Sequence, residues 1–154
     1  MHSPNTRLIK DGILFRRMQT EFGFREHAHT ADWELEVWAP DLAILFEQAA
    51  LGMYALSGVI LTPGSRQERT LSLHAADVES LLVRFLTELL WVAQEQRVGF
   101  DGFSIQVDDE CDFHAELSGS SILSLDKEIK AVTFHNLAVK ATEHGLRVNI
   151  VFDV

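Results

Sequence analysis

The sequence predicts an α+β fold: a mostly antiparallel sheet with two amphipathic helices packed on one face. Two observations carry this. Two stretches, each opened by an aspartate, repeat apolar residues at spacings of three and four, the period of a helix with one buried side. Most of the remaining chain, above all its last third, alternates apolar and polar residues, the period of a half-buried strand. A chain of 154 residues fits one domain and buries roughly two-thirds of its unfolded surface, so no disulfide set is required.

Residues 1–21 are mixed in character. Gly12-Ile13-Leu14-Phe15 has the makings of a short strand, but Arg16, Arg17 and the polar start mark an extension ahead of a domain over 22–154. Trp33, Leu35 and Val37 then alternate with Glu34, Glu36 and Trp38, a strand that Pro40 closes. Asp41 is placed to cap a helix over 42–56, whose stripe is Leu42, Leu45, Phe46, Ala49, Met53 and Leu56; Ser57-Gly58 ends it. Residues 62–68 have turn composition, and Thr70 to His74 alternates with Leu71 and Leu73 on one face. Asp77 caps a longer helix with the stripe Val78, Leu81, Leu82, Phe85, Leu86, Leu89 and Leu90, closed by Gln94-Glu95-Gln96-Arg97. Phe103, Ile105 and Val107, then Phe113, Ala115 and Leu117, alternate about Asp108-Asp109-Glu110, a hairpin. A Ser/Gly loop is expected over 118–121, an extended run from Ile129 to Val139, a turn at Glu143-His144-Gly145, and a last strand from Leu146 to Phe152.

Composition narrows the function. Net charge is −10, with 23 acids against 13 bases, so the surface repels phosphate backbones and attracts a basic protein partner. Cys111 stands alone and forms no internal disulfide; it reads as structural and fits a reducing compartment. There is no run of 18 apolar residues to span a membrane, and the start lacks a signal-peptide layout, so the cytoplasm is the expected location. No Gly-rich phosphate loop, G-x-S-x-G, H-E-x-x-H or CxxC is present, which leaves an autonomous enzyme without a motif.

The remaining candidates are ligands. His27 and His29 share a strand face, but without Cys or further His nearby they fall short of a zinc site, and a hydrogen-bonded or surface pair is the plainer account. His74, His114 and His144 lie in alternating or turn contexts and are expected on the surface. Asp32 precedes a strand, and Asp153 follows the apolar pair Val151-Phe152, close to the carboxylate of Val154. Clustered oxygens of that kind suit Ca²⁺ or Mg²⁺ and not a soft metal. The plainer alternative makes Asp32 a turn or cap residue and Asp153 a frayed end. Lys130 either extends to solvent or pairs with an acidic site.

Taken in order, several runs resemble the archease family over about residues 22–154. They are His29-Thr30-Ala31-Asp32, the helix containing Leu45-Phe46-Glu47 and Ala49-Ala50, the segment from Leu81-Leu82 to Glu88-Leu89-Leu90, Glu128-Ile129-Lys130-Ala131-Val132-Thr133-Phe134-His135, and Val151-Phe152-Asp153-Val154. The resemblance implies a small α+β accessory protein for a GTP-dependent RNA-splicing ligase (the RtcB type). Such proteins promote guanylylation of the ligase and its multiple turnover in tRNA splicing or RNA repair. It also implies a divalent hard metal ion on Asp32 and Asp153, with Ca²⁺ first and Mg²⁺ or Mn²⁺ as alternatives, and a functional role for Lys130. His29 and His135 match motif positions and are expected to face the partner. Contact with RNA would run only through the ligase. The sequence departs from the family where Trp33-Glu34 replaces a small or aliphatic residue and Gly, and where Ser118-Gly119-Ser120-Ser121 stands for a longer acidic loop. Two other classes stay open: a chaperone-like module with an apolar groove and no metal, and a stand-alone metal-dependent phosphoesterase.

Overall fold

In the computed structural model, residues 21–27 and 32–154 are described. The strand expected at 12–15, the extension as a whole up to residue 20, and His29 lie outside the described residues.

Both helices start where an extended aspartate supplies the acceptor that their first N–H groups lack. Asp41 accepts the Ile44 N–H at 2.9 Å and opens α1 (Leu42–Ser57). Asp77 accepts the Ser80 N–H at 2.7 Å and opens α2 (Val78–Gln96). Helix α1 stops at Gly58, whose φ of 66° is the left-handed cap that glycine adopts without strain. A Cβ at Gly58 would also lie 2.3 Å from the Asp126 carboxylate. Helix α2 ends on Arg97, also left-handed at φ 56°.

The strands divide into two antiparallel sheets. The first holds β1 (Gly23–His27), β2 (Trp33–Ala39), β7 (Ala131–Val132), β8 (Lys140–Thr142) and β9 (Gly145–Asp153), in the order β1-β2-β9-β7 with β8 also on β9. The second holds β3 (Ile60–Leu61), β4 (Gln67–His74), β5 (Val98–Val107) and β6 (Asp112–Ser124), with β6 central. Both helices face the inner sides of the sheets, α1 against β1, β2 and β5, and α2 against β4, β5 and β7. The α+β class is as expected, with the strands shared between two sheets.

One core joins these layers. Leu35 and Val37 from β2, and Ile150 and Phe152 from β9, meet Leu45, Phe46, Ala49, Leu82, Phe85 and Leu86 of the helices. Phe85 lies between Phe46, 5.8 Å away, and Phe113 of β6, 4.9 Å away, measured between ring centroids. Offset and tilted ring pairs of this kind add to the simple gain of burial. Among the described residues no helix is long and apolar enough to cross a membrane.

Three expectations need correction. Residues 118–121 are not a loop: they lie within β6. Serine and glycine read as loop formers, but here they let strands approach closely. A Cβ on Gly119 would fall 1.8 Å from the Gly99 carbonyl oxygen, and the buried Ser120 hydroxyl donates to the Thr62 carbonyl at 2.8 Å. The run 129–139 is extended only at β7. After it the Thr133 hydroxyl and N–H both donate to the Val151 carbonyl at 3.0 Å, and a turn closes from Leu137 N–H to Phe134 O at 3.1 Å. Val139 N–H then reaches the Glu79 carboxylate at 2.8 Å, which ties the segment to the start of α2. Finally, the turn at 62–68 is shorter, since β4 begins at Gln67.

Candidate functional site

The site is positioned by the pleat of β2 and β9. Alternation sends Leu35, Val37, Val148, Ile150 and Phe152 into the core. The residues between them, Glu34, Glu36 and Trp38 on β2 and Arg147, Asn149, Val151 and Asp153 on β9, take the outer face. The strands pair Trp33 with Phe152 and Glu34 with Val151. Strand β2 starts at Trp33; the register carried one step past it would set the exposed Asp32 opposite the exposed Asp153. Directly opposite residues of an antiparallel pair have Cβ atoms about 5 Å apart on one face.

Two lysines border this end of the sheet. Lys130 donates its N–H to the Asp153 carbonyl at 2.8 Å, and Ala131 pairs with Asp153 on the far side of β9. The exposed Lys130 side chain forms no ion pair among the described residues. Lys127 places its ammonium over the Trp33 ring, 4.9 Å from the centroid. Its N–H, with that of Asp126, donates to the Ser57 carbonyl at the end of α1, so the 125–130 loop is held against the helix. Val154 packs half-buried on the core.

The other candidates fall elsewhere. His135 is exposed in the turn after β7, with its N–H on the Thr133 hydroxyl at 3.2 Å. His74 and His114 are exposed on the outer face of the second sheet, paired with Asp112 and Glu116 at 2.8 Å each. They extend a cross-strand row in which Ser72 faces His114 and Thr70 faces Glu116. The His114 and then the Thr70 hydrogen bonds hold the Glu116 carboxyl below its ordinary range. Burial, and then the nearby Asp77, push the Cys111 thiol up and keep it unreactive.

Carboxylates are the donor type that Ca²⁺ or Mg²⁺ takes. Among the described residues no group of three or more His, Cys, Asp or Glu comes together to hold a metal. Asp32 and Asp153 therefore fit as part of an oxygen shell, with further positions left to backbone, water or a partner.

Sequence inspection passed over a second group on the same face. Glu36, only 9% exposed, accepts from Arg147 at 2.5 Å and meets His27 at 2.9 Å. Arg25 and Arg147 both lie over Trp38. The alternation of Glu34, Glu36 and Trp38 marked the face, but nothing local connects it to Arg147, distant in the chain.

The profile of the Archease protein family matches residues 24–154. The chain is similar to the archease protein of Methanosarcina mazei, with 31% identity over 136 residues, 82% of this chain and 92% of that one. It is also similar to that of Archaeoglobus fulgidus, with 32% identity over 132 residues, 82% of this chain and 95% of that one. The fold matches the solution structure of Methanobacterium thermoautotrophicum protein 1598 at a TM-score of 0.66 and 24% identity, over 86% of this chain and 99% of that one. It also matches the crystal structure of an archease, possible chaperone, from Thermotoga maritima, at a TM-score of 0.61 and 17% identity, over 84% and 94% of the two chains. With the family profile covering nearly all of the described chain, the protein belongs to the archease family.

Proposed function

We propose that this protein is a metal-dependent accessory factor that activates a GTP-dependent RNA-splicing ligase without itself catalysing ligation. The observation that supports the proposal is the β2–β9 register, in which Trp33 pairs with Phe152 and which, carried one residue further, would set Asp32 opposite Asp153. Asp32 and Asp153 would hold a divalent hard cation, Ca²⁺ first. When bound, such an ion supplies positive charge that polarises phosphoryl or carboxylate oxygens. Lys130, tied to the same strand through its N–H, brings an exposed ammonium to the rim of the site. Charge at that rim orients an anionic group of the ligase or its nucleotide, and the partner fills the coordination that this chain leaves open. The chain's net charge of −10 disfavours direct binding of RNA and favours contact through the ligase.

The test is GMP transfer onto a cognate ligase, with this protein at substoichiometric amounts and Ca²⁺ or Mg²⁺ supplied. Wild type should accelerate transfer over many turnovers, while Asp32→Asn and Asp153→Asn should not, with unchanged thermal unfolding in chelator. Full stimulation by both variants rules the proposal out. A chaperone-like role draws on the exposed Trp91 and Phe134, 50% and 58% accessible, and requires no metal, so stimulation that survives chelator would favour it.

A further inference from the structure

The outer face of the first sheet has a second end. Across it the register sets Gly23 beside Trp38, Trp38 beside Arg147, and Arg147 beside Lys140. The indole lies flat against β1 because Gly23 has no side chain: a Cβ there would stand 3.0 Å from Trp38 Cζ2. Arg25 and Arg147 place their guanidinium carbons 5.5 and 6.0 Å from the Trp38 centroid. Arg25, Glu36, Trp38, Thr142, His144 and Arg147 line a concavity of about 290 Å³.

The donors here outnumber the acceptors. Glu36, the carboxylate of the recess, is already engaged by Arg147 and His27. The Thr142 hydroxyl is spent on the Gly145 carbonyl at 2.9 Å. Arg25 is exposed and has no carboxylate partner among the described residues; its guanidinium lies over the Trp38 ring. The Trp38 Nε1–H is buried without an acceptor. An orphan donor of this kind costs about 1–3 kcal/mol. A guest must therefore bring oxygens and negative charge.

We propose that this recess is a binding subsite for a single phosphoryl group, as in a phosphate monoester. His144 at the rim is shared with Glu143, 3.4 Å from its Nε2, while two guanidiniums set about one ring offer donors from several directions. That suits a tetrahedral group with three free oxygens, whereas a planar carboxylate is satisfied by one guanidinium fork. Both guanidiniums lie near the indole and compete with a nucleobase for its faces. The chain's net charge of −10 repels a long polyanion, which limits the guest to a small phosphate compound. The subsite lies about 20 Å along β2 from Asp32 at the rise of a strand, so it stands independently of the proposed metal.

The experiment follows the three tryptophan indole N–H signals by two-dimensional NMR of the ¹⁵N-labelled full chain in chelator at low salt, with the Trp38 signal assigned through Trp38→Phe. The probes are inorganic phosphate, guanosine monophosphate, guanosine and acetate. Phosphate and the monophosphate should each move the Trp38 signal saturably and leave those of Trp33 and Trp91 in place. Guanosine and acetate should move none. Arg25→Gln, on an exposed edge-strand residue, should weaken binding roughly tenfold. Arg147→Lys, which keeps the charge and loses the fork, should also weaken it. The proposal is overturned by a linear or absent response to phosphate, by acetate matching phosphate, by guanosine shifting Trp38, or by Arg25→Gln binding as wild type. A greater effect of the monophosphate than of phosphate would identify an esterified source, and the reverse a free one; both support a phosphoryl subsite.

Discussion

Trp33 pairs with Phe152 between β2 and β9, and this one register step decides the neighbourhood of both candidate ligands. Phe152 is fully buried and Trp33 packs against the same core, so the register is anchored by apolar burial. A slip by one residue would turn Phe152 outward and Asp153 inward, which burial forbids. Apolar burial beside the two aspartates holds the register, and that register carried one step further would bring their carboxylates opposite one another.

Metal binding should appear as a gain in stability. If Ca²⁺ binds at Asp32 and Asp153, Ca²⁺ at a hundred times its Kd should stabilise wild type by about 2.7 kcal/mol. Asp32→Asn and Asp153→Asn should lose most of that gain and unfold like wild type in chelator. Thermal unfolding with and without Ca²⁺ measures it, and an equal gain in all three proteins would remove the site.

Acid should erase one helix cap. Hydrogen bonds from the Ser80 N–H, then from its hydroxyl, hold the Asp77 carboxyl below its ordinary range. A carboxyl depressed on folding stabilises the protein above its unfolded value near ~3.9, and that contribution fades as pH falls through the lower folded value. Asp77→Ala should therefore lower the melting temperature at pH 6 and make progressively less difference below pH 4. A difference that stays constant down to pH 2 would contradict the assignment.

Two glycines make an internal contrast. Gly119→Ala drives a methyl into the Gly99 carbonyl and should cost about 3 kcal/mol or more, or prevent folding. Gly64→Ala meets nothing within 4 Å and should change stability by no more than about 0.5 kcal/mol. Urea unfolding of the pair would show whether 118–121 is strand or loop, since a loop would tolerate both.

Thr133 should act as a clasp. Its hydroxyl bond to the Val151 carbonyl is part-buried, and Thr133→Val should cost about 1 kcal/mol. Amide exchange should quicken at Phe134 to Leu137, the turn it holds against β9. Unchanged exchange there would mean that the Val139–Glu79 bond alone secures the segment.

Local chemistry made much of this protein legible in its sequence. Asp41 and Asp77 cap helices through residues three positions away, and the stripes of Leu45, Phe46, Leu82 and Phe85 repeat within a single element. Such signals need no knowledge of the rest of the chain. The hairpin about residues 108–110 was equally visible. Ser118 to Ser121 misled because small residues serve both loops and tightly packed strands, and only the position of the β5 backbone distinguishes the two uses.

The sequence by itself determined the α+β class, both helices with their ends, and the runs that place the chain in its family. Only the tertiary structure decided that there are two sheets, that Trp33 pairs with Phe152, and that Arg25 and Arg147 meet at Trp38. The physical reason is distance along the chain. Helix capping and periodicity act over a few residues, whereas strand pairing joins residues such as Glu36 and Arg147, 111 positions apart, and is chosen by which register buries the most apolar surface.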